Sequence, residues 1–161
     1  MFQKVLVPLD GSELAEAVLP YAEELALAQK SLVVLLQVIP PPSQVVGFTG
    51  TADLGPMTRT DVEAINATME AEARNAAAYL QKQAGAMSER GVKAEWEVRQ
   101  GPPGPTIVQC AKERGVDAIA LSTHGRSGLG RLIFGSVAGH ILRHCGLPIL
   151  LIKPDMKGEG D

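Results

Sequence analysis

Aromatic residues are scarce in this chain, at 4% of 161 residues. That scarcity argues against a platform that stacks bases of a nucleic acid. A basic surplus is missing too: 15 Lys and Arg stand against 18 Asp and Glu, for a net charge of −3. Nucleic-acid grooves carry basic stripes, so no nucleic-acid partner is expected. There are only two cysteines, Cys110 and Cys145, far apart and without C-x-x-C or metal-ligand spacing. Each sits in an apolar-periodic segment, so both read as reduced core thiols of a cytoplasmic protein. No apolar run approaches the roughly 20 residues of a membrane span, so no membrane partner is expected. The N-terminus enters a strand pattern, V-L-V-P, without the layout of a signal peptide. Two common phosphate motifs also fail. No G-x-x-x-x-G-K-[ST] is present, which excludes a P-loop. Gly128-x-Gly130 has Ile133 where a dinucleotide fingerprint needs its third glycine, and the cluster follows the fourth strand pattern rather than the first.

What is present is ordinary globular composition, 45% hydrophobic and 20% charged, enough for one full core. Residues 1–155 read as a single domain and 156–161 as a flexible polar tail. Strand patterns cover Lys4–Pro8, Leu32–Ile39, Lys93–Arg99, Asp117–Leu121 and Pro148–Lys153. Helical patterns cover Ser12–Lys30, Asp61–Arg90, Thr106–Arg114 and Ser136–His144. This alternation implies βαβ units and an open parallel sheet with helices on both faces. Ser12 is the expected N-cap, and Gly91 and Gly115 the expected helix ends. Pro20 is expected to kink the first helix without breaking it. The long irregular stretch from Pro40 to Thr60 is either a lid or disordered.

The segment from Ala118 to Leu142 carries the strongest functional signal. A buried strand pattern runs into a loop with Gly125, Gly128 and Gly130, then Gly135-Ser136 opens a helix. Glycines let backbone amides approach a ligand, and a helix N-terminus points free N–H groups at it. That arrangement suits a phosphate. The alternative is a flexible surface loop. Asp10, in P-L-D-G-S after the first strand, can accept from ribose hydroxyls or serve as a turn residue. The backbone of Val38 can meet a base edge, or Val38 is simply a core valine.

These segments resemble the universal stress protein family over essentially the whole chain. The residues that carry the resemblance are K-V-L-V-P-L-D-G-S at the start, then S-T-H-G-R-S-G-L-G-R-L-I-F-G-S-V-A and P-I-L-L-I-K. ATP-binding members carry G-x2-G-x9-G-[S/T]. With Gly125 as the second glycine, nine residues, Arg126 to Phe134, precede Gly135-Ser136. The first motif glycine falls on Ser122, a departure, and serine disfavours positive φ. The resemblance implies a five-stranded sheet of order 3-2-1-4-5, similar to the adenine nucleotide alpha hydrolase class. It also implies an adenine-nucleotide site made of Pro8, Asp10, Val38, Ser122, Thr123, Gly125, Arg126, Gly128, Gly135, Ser136 and Val137. Asp10 would hold the ribose and the Val38 backbone the adenine. The glycines, Ser136 and Val137 would hold the phosphates, and Arg126 and Arg131 would neutralise charge or stay solvated. The implied ligand is ATP, with or without Mg2+; AMP and cyclic AMP are the alternatives.

Catalytic groups are not apparent. His124 has no Cys, Asp or Glu near it in sequence, and the loop from Ser122 to Ser136 contains no acid. His140 and His144 lie one turn apart, but no third metal ligand follows. The expectation is a cytoplasmic homodimer that acts in stress response by nucleotide occupancy, with at most slow ATP hydrolysis. The apolar last strand, Pro148–Lys153, is the expected dimer edge; a further protein partner is unknown. The competing readings are an ATP hydrolase of the same fold and a dimeric scaffold that binds no nucleotide.

Overall fold

The computed structural model describes residues 1–41, 58–123 and 135–154. Strand β1 (Lys4–Leu9) is apolar on both sides. Val5, Val7 and Leu9 enter one core and Leu6 the other, as a strand buried on both faces requires. Strand β2 (Leu32–Ile39) alternates the same way, with Val33 and Leu35 opposed to Val34 and Leu36. Strands β3 (Lys93–Gln100), β4 (Ala118–Ser122) and β5 (Ile149–Ile152) complete a five-stranded sheet of order β3-β2-β1-β4-β5. All its pairings are parallel. The expected fold class and strand order are both observed.

Helices α1 (Glu13–Glu16), α2 (Leu19–Gln29) and α3 (Arg59–Glu89) cover one face. Helices α4 (Pro103–Arg114) and α5 (Ser136–His144) cover the other. Ser12 caps α1 as expected, accepting from the Ala15 amide at 3.1 Å. One expectation is corrected here: the stretch from Ser12 to Lys30 is two helices, not one kinked helix. The amides of Ala17 and Val18 bond only three residues back, to Leu14 and Ala15, and Pro20 has no amide to donate. The α-helical ladder is therefore interrupted, although the backbone at Ala17 and Val18 stays right-handed. Pro20 falls in the first turn of α2, where its missing donor costs nothing.

Thr58 and Asp61 form a capping box, which starts α3 ahead of the expected Asp61. Pro103 starts α4 ahead of the expected Thr106, since proline's fixed φ suits a first helical position. Gly91 and Gly115 follow α3 and α4 at φ +86 and +57, a left-handed conformation that favours glycine. Both cysteines are buried and free, as expected. Burial pushes the Cys110 thiol up from its ordinary pKa, against the pull of Arg99. No helix among the described residues is long and apolar enough to cross a membrane.

One backbone detail opens the carboxyl edge of the sheet. The Lys4 carbonyl accepts from Asp117 and the Gln3 carbonyl from Leu32. Backbone groups of Lys4, Leu6 and Pro8 therefore face β4, while those of Val5, Val7 and Leu9 face β2. Pro8 lacks its N–H on the β4 side. Pairing of β1 with β4 stops at Leu6 opposite Ile119, while pairing with β2 continues to Leu9 opposite Gln37. The two central strands separate at their carboxyl ends, which is where a doubly wound sheet places its ligand.

Candidate functional site

A cavity of about 330 Å3 occupies that separation. Eight residues expected at the site line it: Pro8, Asp10, Val38, Ser122, Thr123, Gly135, Ser136 and Val137. Three further candidates, Gly125, Arg126 and Gly128, lie outside the described residues, as do His124 and Arg131. Most of the Pro40–Thr60 segment, and the tail after Pro154, also fall outside them.

Asp10 follows β1 and is exposed to the cavity. Its Oδ1 accepts from the Ser12 amide at 2.9 Å and from the Ser12 hydroxyl at 2.6 Å. The expected turn role is observed: one oxygen holds the turn, and Oδ2 has no partner among the described residues. Across the cavity, Gly135 caps α5 without any side chain. The amides of Ser136, Val137 and Ala138 have no acceptor among the described residues, and all three residues line the cavity. Gly135 has φ −57, so close approach, not a left-handed backbone, is what its missing side chain provides.

Ser122 resolves simply. It ends β4 in extended backbone, and Lys30 is the only non-glycine with positive φ among the described residues. The position of the first motif glycine therefore needs no left-handed conformation here. The Ser122 hydroxyl donates to the Ala15 carbonyl at 3.4 Å, which ties β4 to α1.

The remaining wall is apolar: Leu14, Leu36, Pro103, Ile107, Leu121 and Ile141. Sequence reasoning missed Leu14, Pro103, Ile107 and Ile141 as lining residues. Polar candidates together with an apolar wall suit a ligand with a flat hydrophobic part and a charged tail. His140 and His144 stack with centroids 4.2 Å apart, and the His144 ring nitrogen Nδ1 lies 2.9 Å from the His140 carbonyl oxygen. Partial burial, then His144 and Arg143, hold His140 below its ordinary pKa. Among the described residues no three His, Cys, Asp or Glu side chains gather as a metal set.

The profile described as the universal stress protein family matches residues 1–153. The chain belongs to that family. Universal stress protein Sll1388 of Synechocystis sp. is 31% identical over 156 residues, covering 94% of this chain and 98% of the relative. The solved structure of MJ0577, from Methanocaldococcus jannaschii, superposes with a TM-score of 0.77 at 24% identity. It covers 98% of this chain and 99% of that one. A universal stress protein from Archaeoglobus fulgidus, solved in complex with dAMP, gives a TM-score of 0.60 at 21% identity, covering 94% and 98%. At these identities the two structures bear on the fold. Within this universal stress protein fold, the cavity sits where β1 and β4 part.

Proposed function

We propose that the chain binds an adenine nucleotide, with ATP the foremost candidate, and works by occupancy. The observation that carries this reading is the cavity at the β1–β4 separation, lined both by Asp10, whose Oδ2 has no partner among the described residues, and by the first three residues of α5, whose amides have none there. In this reading Asp10 Oδ2 accepts from the ribose, and the Val38 backbone meets the adenine edge. Leu36, Ile107 and Ile141 cover the base. Gly125, Arg126, Gly128, Gly135, Ser136 and Val137 hold the phosphates, with Ser122 and Thr123 at the strand end. The relative solved with dAMP supports the adenine class. AMP and cyclic AMP fill the same base and ribose positions; any Mg2+ would be carried mainly by the nucleotide's own phosphates. Denaturing the purified protein and weighing the released small molecules by mass spectrometry tests the class. An adenine nucleotide is the expected product; a stoichiometric guanine nucleotide contradicts the reading.

The same reading makes turnover slow. Asp10 is the one carboxylate lining the cavity among the described residues, and this reading assigns it to the ribose. Efficient hydrolysis needs an oriented water and a well-held metal. Steady-state turnover with Mg2+ is expected well below about 1 s−1, the low end of ordinary enzymes. Turnover at or above that value, lost in Ser136→Ala, makes the protein an enzyme instead. We read the functional unit as a cytoplasmic homodimer, paired through β5, whose nucleotide state is read in stress response by a protein partner.

A further inference from the structure

A second hollow, of about 510 Å3, opens at the same sheet edge on the α3 face. The alternation of β2 separates the two: Leu36 and Val38 lie with the α4 core, while Ile39 packs with Met69 and Ala76 of α3. Gln37 lines the second hollow. Asp10 and Val38 line both, so the hollows meet at the carboxylate assigned to the ribose.

The chemistry of this groove differs from that of the nucleotide cavity. Among the described residues its polar lining is Asp10, Gln37, Glu72, Asn75 and Tyr79, with no cationic side chain. Gln37 Oε1 is buried and has no hydrogen-bond partner among the described residues. Tyr79 already donates its hydroxyl to Glu16 at 2.9 Å, and Gln83 donates to the same oxygen at 3.2 Å. Burial, then the hydrogen bond to Glu16, raises the Tyr79 pKa, so the phenol stays protonated. The Tyr79 oxygen is thus left to the groove as an acceptor. Two carboxylates, with the Tyr79 oxygen as a further acceptor, favour a donor-rich cation and oppose an anion.

We propose that this groove is a second subsite that reads the 2′/3′ side of the bound ribose, accepting a cationic, hydrogen-bond-donating substituent there and rejecting a phosphate. It rests on the nucleotide reading above. Asp10 is the shared wall, so a group attached at a ribose hydroxyl held by Asp10 has this groove as adjoining room. The subsite then separates plain or ammonium-bearing adenine nucleotides from those with a ribose phosphate. Glu72 strengthens that preference without touching the nucleotide cavity, because it lines only the second hollow.

Calorimetric titration of the full chain with three probes tests the subsite: ATP, 2′/3′-O-(2-aminoethylcarbamoyl)-ATP, and ATP with a 3′-phosphate. The aminoethyl analogue is expected to bind about tenfold or more tighter than the 3′-phosphate analogue, given two unit charges of opposite effect near partly screened carboxylates. Glu72→Gln is expected to shrink that ratio by about threefold or more while ATP affinity stays unchanged. Equal affinity for the two analogues, or an unchanged ratio in Glu72→Gln, overturns the subsite and leaves the nucleotide reading standing. Failure of ATP itself to bind overturns both.

Discussion

Replacing Gly135 by valine is expected to weaken adenine-nucleotide binding by about a hundredfold or more while the fold survives. Losing two amide hydrogen bonds to an anion costs roughly 3 kcal/mol, and each 1.4 kcal/mol is about tenfold in affinity. The backbone at Gly135, φ −57 and ψ 162, suits any residue, and a Cβ there meets nothing within 4 Å among the described residues. Added bulk is therefore expected to enter open space at the cavity wall, where it would crowd a phosphate held by the amides that begin α5. A β-branched residue at this cap removes about 1 kcal/mol of helix stability, far less than unfolding requires. Gly104 is the contrast. A Cβ there would lie 2.8 Å from His140 Cβ, so Gly104→Ala strains the α4–α5 contact and its loss of stability has nothing to do with ligand. Calorimetry on both proteins, with thermal melting as the fold control, measures the difference. Equal affinity in wild type and a folded Gly135→Val protein refutes the phosphate assignment.

Converting Leu150 to glutamate is expected to yield monomer or insoluble protein from a wild-type dimer. The two edges of the sheet are built differently. The β3 edge carries Lys93, Glu95, Glu97 and Arg99, with Arg99 paired to Glu97 and Glu113 at 2.5 Å each. Burial opposes the Arg99 charge, but those bonds raise its pKa overall, and such an edge resists pairing. The β5 edge is Ile149-Leu150-Leu151-Ile152, all half-buried in the single chain. Side chains alternate between the two cores, with Leu150 and Ile152 on one face and Ile149 and Leu151 on the other. A two-fold axis pairs such an edge with its copy and removes both open ladders. A buried, unpaired carboxylate at Leu150 is costly on either side of that interface. Light scattering at micromolar concentration reads the mass directly. A monomeric wild type contradicts the β5 interface.

Continuous apolar strands and polar helix caps made the alternation of elements legible in the sequence. The strand order came from family resemblance, because βα alternation alone does not choose among doubly wound orders. Helix interruption before Pro20 was misread because apolar spacing continues through it, whereas its cause is a lost donor and two short-range bonds. The start of α3 was missed although Thr58-x-x-Asp61 is a readable capping box. Eight candidates for the site, among them Asp10, Gly135 and Ser136, do line one cavity, because charge and backbone approach leave a signature in residue type. Leu14, Pro103, Ile107 and Ile141 were not legible, since an apolar residue facing a cavity is written the same way as one facing the core. Pro8 appeared as part of a resemblance; its physical role, ending the ladder to β4, needed the direction of each backbone group.

Calorimetric titration of ATP into nucleotide-free protein measures the proposed binding most directly. Saturation at one nucleotide per chain, displaced by dAMP, is the expected result. No saturable heat up to roughly 1 mM ATP, where binding would be worth only about 4 kcal/mol, contradicts a nucleotide-occupied site at the β1–β4 separation.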